Sequence, residues 1–139
     1  MAEAHWRLMA CGAAAIALSG CASLPPACLP PQQAVLSADL AFGRNIGGRP
    51  GVSDAAFARF TAEEITPRFP DGLTVLDGHG QWHDPARGRL VREPSKLVWI
   101  VFADDPAKRT ALTEIAEAYK QKFRQQSVMI ALRPACVSF

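Results

Sequence analysis

Two carboxylates and two imidazoles fall close together in this chain, at Asp77, His79, His83 and Asp84. These are ligand types for Zn²⁺ and other divalent ions, and Gly78 and Gly80 would let the backbone fold Asp77, His79 and His83 onto one metal. The spacing matches no zinc motif. On a strand His79 and His83 share a face but stand about 13 Å apart, so only a tight turn between them would make a metal site. Two solvated loop histidines are the plainer reading, and the spacing favours it. In either reading these side chains can change charge near neutral pH.

A second group is Arg92, Glu93, Ser95 and Lys96, joined from elsewhere in the chain by Arg44 and Trp82. Together they could line a pocket for a small anion. Arg92 and Lys96 would bind the charge, Glu93 would orient Arg92, and Trp82 would stack on the ligand. The competing reading is a charged strand end that sets register by cross-strand pairing and keeps a sheet edge soluble. That reading is the more economical one. Lys120, Lys122 and Arg124 suit the negative end of a helix dipole and need no further role. The chain has no Gly-x-Ser-x-Gly, no phosphate-cradling glycine loop and no Cys-x-x-Cys. Ser53 or Ser95 could in principle work with His79 or His83, but no spacing argues for it, and no catalytic residue or cofactor is assigned.

The elements that would position these groups begin after a targeting segment. Residues 1–7 carry His5 and Arg7, and residues 8–18 are uncharged and mostly apolar. That run is too short to span a bilayer and fits the core of a secretory signal. Leu18, Ser19 and Gly20 then precede Cys21 in the manner of a bacterial lipobox, so residues 1–20 read as a lipoprotein signal and the Cys21 thiol as the lipidated group. Alternatives are an ordinary cut near Ala22 or an uncleaved anchor. More than one acyl chain gives stable membrane residence. Ala22, in place of an aspartate, points to the periplasmic face of the outer membrane. The mature protein is expected to be about 120 residues, one domain by size. Its net charge of +2 is unchanged by losing Glu3 and Arg7 together, too small a value to draw nucleic acid.

Of the four cysteines, Cys11 leaves with the signal and Cys21 carries lipid. Cys28 and Cys136 remain as an even pair in an oxidising compartment, and we expect them to form a disulfide, with two free buried thiols as the alternative. Residues 21–36, with Pro25, Pro26, Pro30 and Pro31, read as an extended tether, and residues 37–139 as a single domain.

Within that domain Ala38, Leu40 and Phe42 alternate as a half-buried strand. Residues 45–51 form a glycine-rich loop. Ser53 caps a helix facing inward through Phe57, Phe60 and Ile65, which Pro67 ends. Residues 73–76 make a second strand, broken at Gly78-His79-Gly80, and residues 81–92 a hairpin or long loop. Residues 97–102 are the clearest strand. Asp105 and Pro106 open a second helix with Leu112, Ile115, Ala116, Tyr119 and Phe123 on one face. Residues 128–132 are the last strand, with Pro134 ending its regular pairing.

The order β-α-β-β-α-β predicts an α+β, ferredoxin-like sandwich: an antiparallel sheet with two helices on one face. Strands 97–102 and 128–132 are apolar on both sides, so the open face needs a cover, a homodimer packed sheet to sheet being the simplest.

The run from Glu64 to Asp77, with Gly80-Gln81-Trp82, Arg92 to Lys96 and the ending Pro134 to Phe139, resembles an uncharacterised bacterial family of secreted or lipidated proteins, domain of unknown function 3574. The resemblance covers residues 36–139 and implies compartment and domain extent, with no activity or cofactor attached. The sequence therefore predicts a lipid-anchored envelope protein that binds a small ligand or an envelope protein. A small periplasmic enzyme using His79, Arg92 and Glu93 is the alternative.

Overall fold

The strand built around Leu36, Ala38, Leu40 and Phe42 lies at the centre of the sheet because each of these alternate side chains is buried under the helices. The computed structural model describes residues 27–139, except Arg87. The expected signal, Cys21 and residues 22–26 of the expected tether lie outside the described residues. Strand β1 runs Gln33–Gly43, β2 Asn45–Ile46, β3 Arg49–Pro50, β4 Thr74–Asp84, β5 Arg89–Phe102 and β6 Met129–Val137, with helices α1 Asp54–Phe60 and α2 Pro106–Phe123. The main sheet has the order β4-β5-β1-β6 and every pairing is antiparallel. This is the ferredoxin-like arrangement that the element order predicts. β2 and β3 form a small added hairpin on Gly47 and Gly48, both with positive φ, as a two-residue turn requires.

The helix caps are those the sequence indicates. Ser53 Oγ accepts from the Ala56 N–H at 3.1 Å, and Asp105 Oδ1 accepts from the Ala107 N–H at 2.8 Å. Beyond α1 the chain widens into a π turn, Thr61–Ile65, in which the Thr66 N–H donates to the Thr61 carbonyl. Ile65 follows Phe60 by five residues, a spacing that a helix of 3.6 residues per turn would rotate about 140° off the buried face. The wider turn brings Ile65 back into the core, where it is fully buried.

All four strands of the main sheet are longer than the sequence analysis expects, and β5 begins at Arg89, inside the stretch read as a hairpin or long loop. β4 does not stop at Gly78-His79-Gly80. It continues to Asp84, paired with β5 from Thr74↔Trp99 to Asp84↔Arg89. The glycines are inside the strand because the neighbouring strand's side chains lie over them. A Cβ on Gly78 would stand 2.8 Å from Leu97 Cδ1 and 3.0 Å from Ser95 Oγ. β1 begins at Gln33, inside the segment read as tether, and β6 passes through Pro134, which faces Leu36. β6 is an edge strand, where a missing N–H costs no ladder bond.

Alternation sends Leu76, Leu97, Trp99 and Val101 to the face away from the helices. Trp99 is 44% exposed there, its indole donating to Ser37 Oγ at 2.7 Å. Among the described residues no helix covers this stripe.

Cys28 and Cys136 form the expected disulfide, with Cα atoms 5.5 Å apart, closing a loop of 108 residues' separation. Replacing both with serine is expected to lower the unfolding free energy by about 3–5 kcal/mol, read as a lower urea midpoint than the oxidised parent. Equal midpoints would show that the bond contributes nothing.

Candidate ligand cleft on the open face of the sheet

β1 ends at Gly43 because the chain turns there to make the β2–β3 hairpin. The Arg44 N–H donates to the Pro94 carbonyl at 3.0 Å, and the Arg44 carbonyl accepts from both the Gly51 and Val52 N–H groups. From the helix side Tyr119, fully buried, donates its hydroxyl to the Gly43 carbonyl at 2.8 Å. On the opposite side of this strand end lies a cleft of about 400 Å³. Its floor is Gly43, Gly80, Glu93 and Ser95, one wall carries Trp82, and the α2–β6 connection supplies Arg124.

Glu93 is the central group. It pairs with Gly80 across the β4–β5 ladder. Its carboxylate oxygens lie 3.0 Å from where a Cβ on Gly43 would stand, and its Cγ lies 3.6 Å from the equivalent point on Gly80. Two glycines on the flanking strands thus leave a trough in which the carboxylate lies flat on the sheet. Among the described residues Glu93 makes no ion pair and no side-chain hydrogen bond. Trp82 beside it is 42% exposed. Asp84 is buried at the turn end, where its Oδ1 accepts from the Ala86 N–H at 2.9 Å. Asn45 also borders the cleft, but its side-chain oxygen is buried beneath the surface, without a donor.

The strand period divides the residues that the sequence groups into one pocket. Trp82, Glu93 and Ser95 face the cleft. Arg92 points to the other side, its Nε donating to Gln81 Oε1 at 2.8 Å. Glu93 therefore does not orient Arg92. Lys96 and Arg44 also lie on the helix side. Lys96 bridges Asp54 on α1 at 2.7 Å and Asp77 on β4 at 2.5 Å, and Arg44 reaches Asp54 at 3.1 Å. Hydrogen bonding from Lys96, with charge from Arg44 and Lys96, holds the Asp54 carboxyl below the usual aspartate range. The Lys96 ammonium is raised by its bonds to Asp54 and Asp77, against the opposing effect of burial. The positive charges of the expected anion pocket are thus engaged elsewhere: Lys96 ties α1 to β4, Arg44 joins it at Asp54, and Arg92 is bonded to Gln81.

His79 and His83 are exposed on the helix side of β4, spaced by an unbroken strand, with no turn to bring them together. Asp77 is taken by Lys96. Among the described residues no three His, Cys, Asp or Glu side chains gather as a metal site.

Sequence reasoning missed Gly43, Gly80, Asn45 and Arg124. Gly80 was legible as a strand interruption, but the partnership of the two glycines with Glu93 depends on register. Arg124 has a left-handed backbone, φ 53°, at the end of α2, a conformation more often taken by glycine.

Residues 37–139 match the profile of a family described as Protein of unknown function (DUF3574). The chain belongs to this family. Among solved structures it is similar to a phage SAM lyase in complex with S-methyl-5'-thioadenosine, at 16% identity and a TM-score of 0.60, covering 76% of this chain and 90% of that one. The same lyase in its apo state aligns over the same shares at 16% identity and a TM-score of 0.57. CutA from Synechococcus elongatus, complexed with a Bis-Tris molecule, gives 7% identity and a TM-score of 0.49 over 77% of this chain and 87% of that one. At such identities the lyase likeness establishes a shared fold and no more. No curated protein sequence matches this chain.

Tyr119 offers a direct test of how the strand end is held. Burial pushes its phenol above the usual tyrosine value, with Arg44 pulling it back and Glu93 adding to the rise. A raised folded-state value means stability that is fully present below the unfolded value of about 10 and is lost as pH climbs toward the folded one. Tyr119 is the chain's one tyrosine, so tyrosinate absorbance reports it alone. We expect that absorbance to appear well above pH 10, together with unfolding. Tyr119→Phe should cost about 1–2 kcal/mol at neutral pH and flatten the alkaline loss. Titration at an ordinary tyrosine pH in the folded protein would contradict the buried hydrogen bond.

Proposed function

We propose that this protein is a bacterial envelope lipoprotein, exported by residues 1–20 and held through Cys21 on the periplasmic face of the outer membrane, whose domain binds a small ligand in the cleft around Glu93. The observation that carries the binding role is the Glu93 carboxylate, lying unpaired on the sheet between Gly43 and Gly80 and beside Trp82. A carboxylate kept free of intramolecular partners in a concave site is available to a ligand. The anchoring half of the reading rests on the sequence: an uncharged apolar run, small residues and Cys21. The uncovered stripe of Leu76, Leu97 and Trp99 leaves room in this reading for a second copy packed sheet to sheet.

A small enzyme is the second reading. What favours it is the same carboxylate, which could act as a general base, together with the fold shared with a phage protein named as a SAM lyase. Of the groups suggested by sequence for such an enzyme, only Glu93 borders the cleft. His79 and Arg92 lie on the other side of the hairpin.

Native mass spectrometry on protein extracted from its own envelope in mild detergent tests both halves. The expected spectrum shows a diacylglyceryl mass that disappears with Cys21→Ala. It also shows a small bound mass that disappears with Glu93→Ala. A bound mass that survives Glu93→Ala would move the site elsewhere, and a protein without bound mass would remove the ligand role. Incubation with SAM, followed by mass analysis for S-methyl-5'-thioadenosine, decides for or against lyase turnover.

A further inference from the structure

Resting on the cleft as a ligand site, we infer that its ligand is a small organic cation carrying N–H donors, a protonated amine seated on Glu93 against the Trp82 ring. Two features of the lining point the same way. First, the Glu93 carboxylate is an acceptor to which no cation or donor is paired among the described residues. An anionic or electron-rich ligand placed over it would be repelled. A cation gains a charge-assisted hydrogen bond.

Second, Trp82 is only partly covered and borders the same space. An indole face beside a carboxylate is a favourable seat for an ammonium. Arg124 is the cation on this border. It is exposed at the rim and forms no ion pair with Glu93. Its position leaves the floor negative and allows a ligand whose far end carries an acidic group.

The test is titration of the full-length lipoprotein in detergent with benzylamine, and separately with benzyl alcohol and benzoate, which keep the ring and change only the charge. Heat of binding gives affinity, and amide NMR shifts at Gly43 and Gly80, with the Trp82 indole N–H, give location. Benzylamine is expected to bind and to shift these three signals. Glu93→Gln, which keeps the side chain's shape, should weaken it about tenfold or more. Trp82→Ala should weaken it by a smaller factor. If benzoate or benzyl alcohol shifts the same signals as strongly, or if Glu93→Gln leaves benzylamine affinity unchanged, the ligand is not a cation and the cleft remains a binding site. If none of the three compounds moves those signals, the cation inference is overturned. If the native protein also carries no bound mass, the cleft itself falls as the site.

Discussion

The hydrogen bond from the Tyr119 hydroxyl to the Gly43 carbonyl, 2.8 Å long, is the contact on which the candidate site depends. Tyr119 is enclosed by aromatic rings: Phe42 and Phe123 at 4.7 Å between centroids and Phe60 at 5.1 Å. A phenol buried so deeply must place its hydroxyl on a partner or lose the free energy of desolvating it. The one acceptor it finds is the last carbonyl of β1. The aromatic core therefore fixes the position of Gly43, and Gly43 in turn fixes the floor on which the Glu93 carboxylate lies. Arg44 reinforces this from the next residue by closing the hairpin through Val52 and reaching across to Pro94. Core packing on one face of the sheet thus sets the shape of the cleft on the other.

The two-residue period of a strand explains both what the sequence revealed and what it hid. Alternation in Ala38, Leu40 and Phe42 is visible directly, and so are the Ser53 and Asp105 caps and the helix face of Leu112, Ile115 and Tyr119. Each depends on neighbours within a few positions along the chain. The cysteine pair was legible for a different reason: the expected compartment and the expected fates of Cys11 and Cys21 left Cys28 and Cys136 to bond. Grouping Arg92 with Glu93, and Ser95 with Lys96, treated adjacency in sequence as adjacency in space. In a pleated strand adjacent residues face opposite sides. Glu93 consequently meets Gly80 and Gly43, which are distant in sequence, while Arg92 meets Gln81 on the reverse side. Glycine normally weakens a strand, so Gly78 and Gly80 looked like its end. Their purpose is clear only once Ser95, Leu97 and Glu93 are seen lying across them.

Lys96 shows how the fold supports an edge strand with so little side chain of its own. β4 is exposed along most of its length and carries two glycines, which makes it a poor strand by intrinsic preference. The Lys96 ammonium sits beneath it and is held by Asp77 on β4 and Asp54 at the start of α1. The same residue therefore joins the central strand β5, the edge strand and the first helix. An anion-binding role would compete with those carboxylates, whereas a structural one uses the geometry as it stands.

The disulfide and the cleft lie at opposite ends of β1. Cys136 is opposite Ala34, near the beginning of that strand, and the cleft begins at Gly43, its last residue. Nine residues of extended chain separate them by about 30 Å. The disulfide binds the incoming chain at Cys28 to the edge strand, at the end of the sheet remote from Glu93. If Cys21 carries the proposed lipid, the anchor would pull on that end, and the cleft at the far end would stay open to solutes. That separation would then favour a site that meets small molecules over one that contacts the lipid surface.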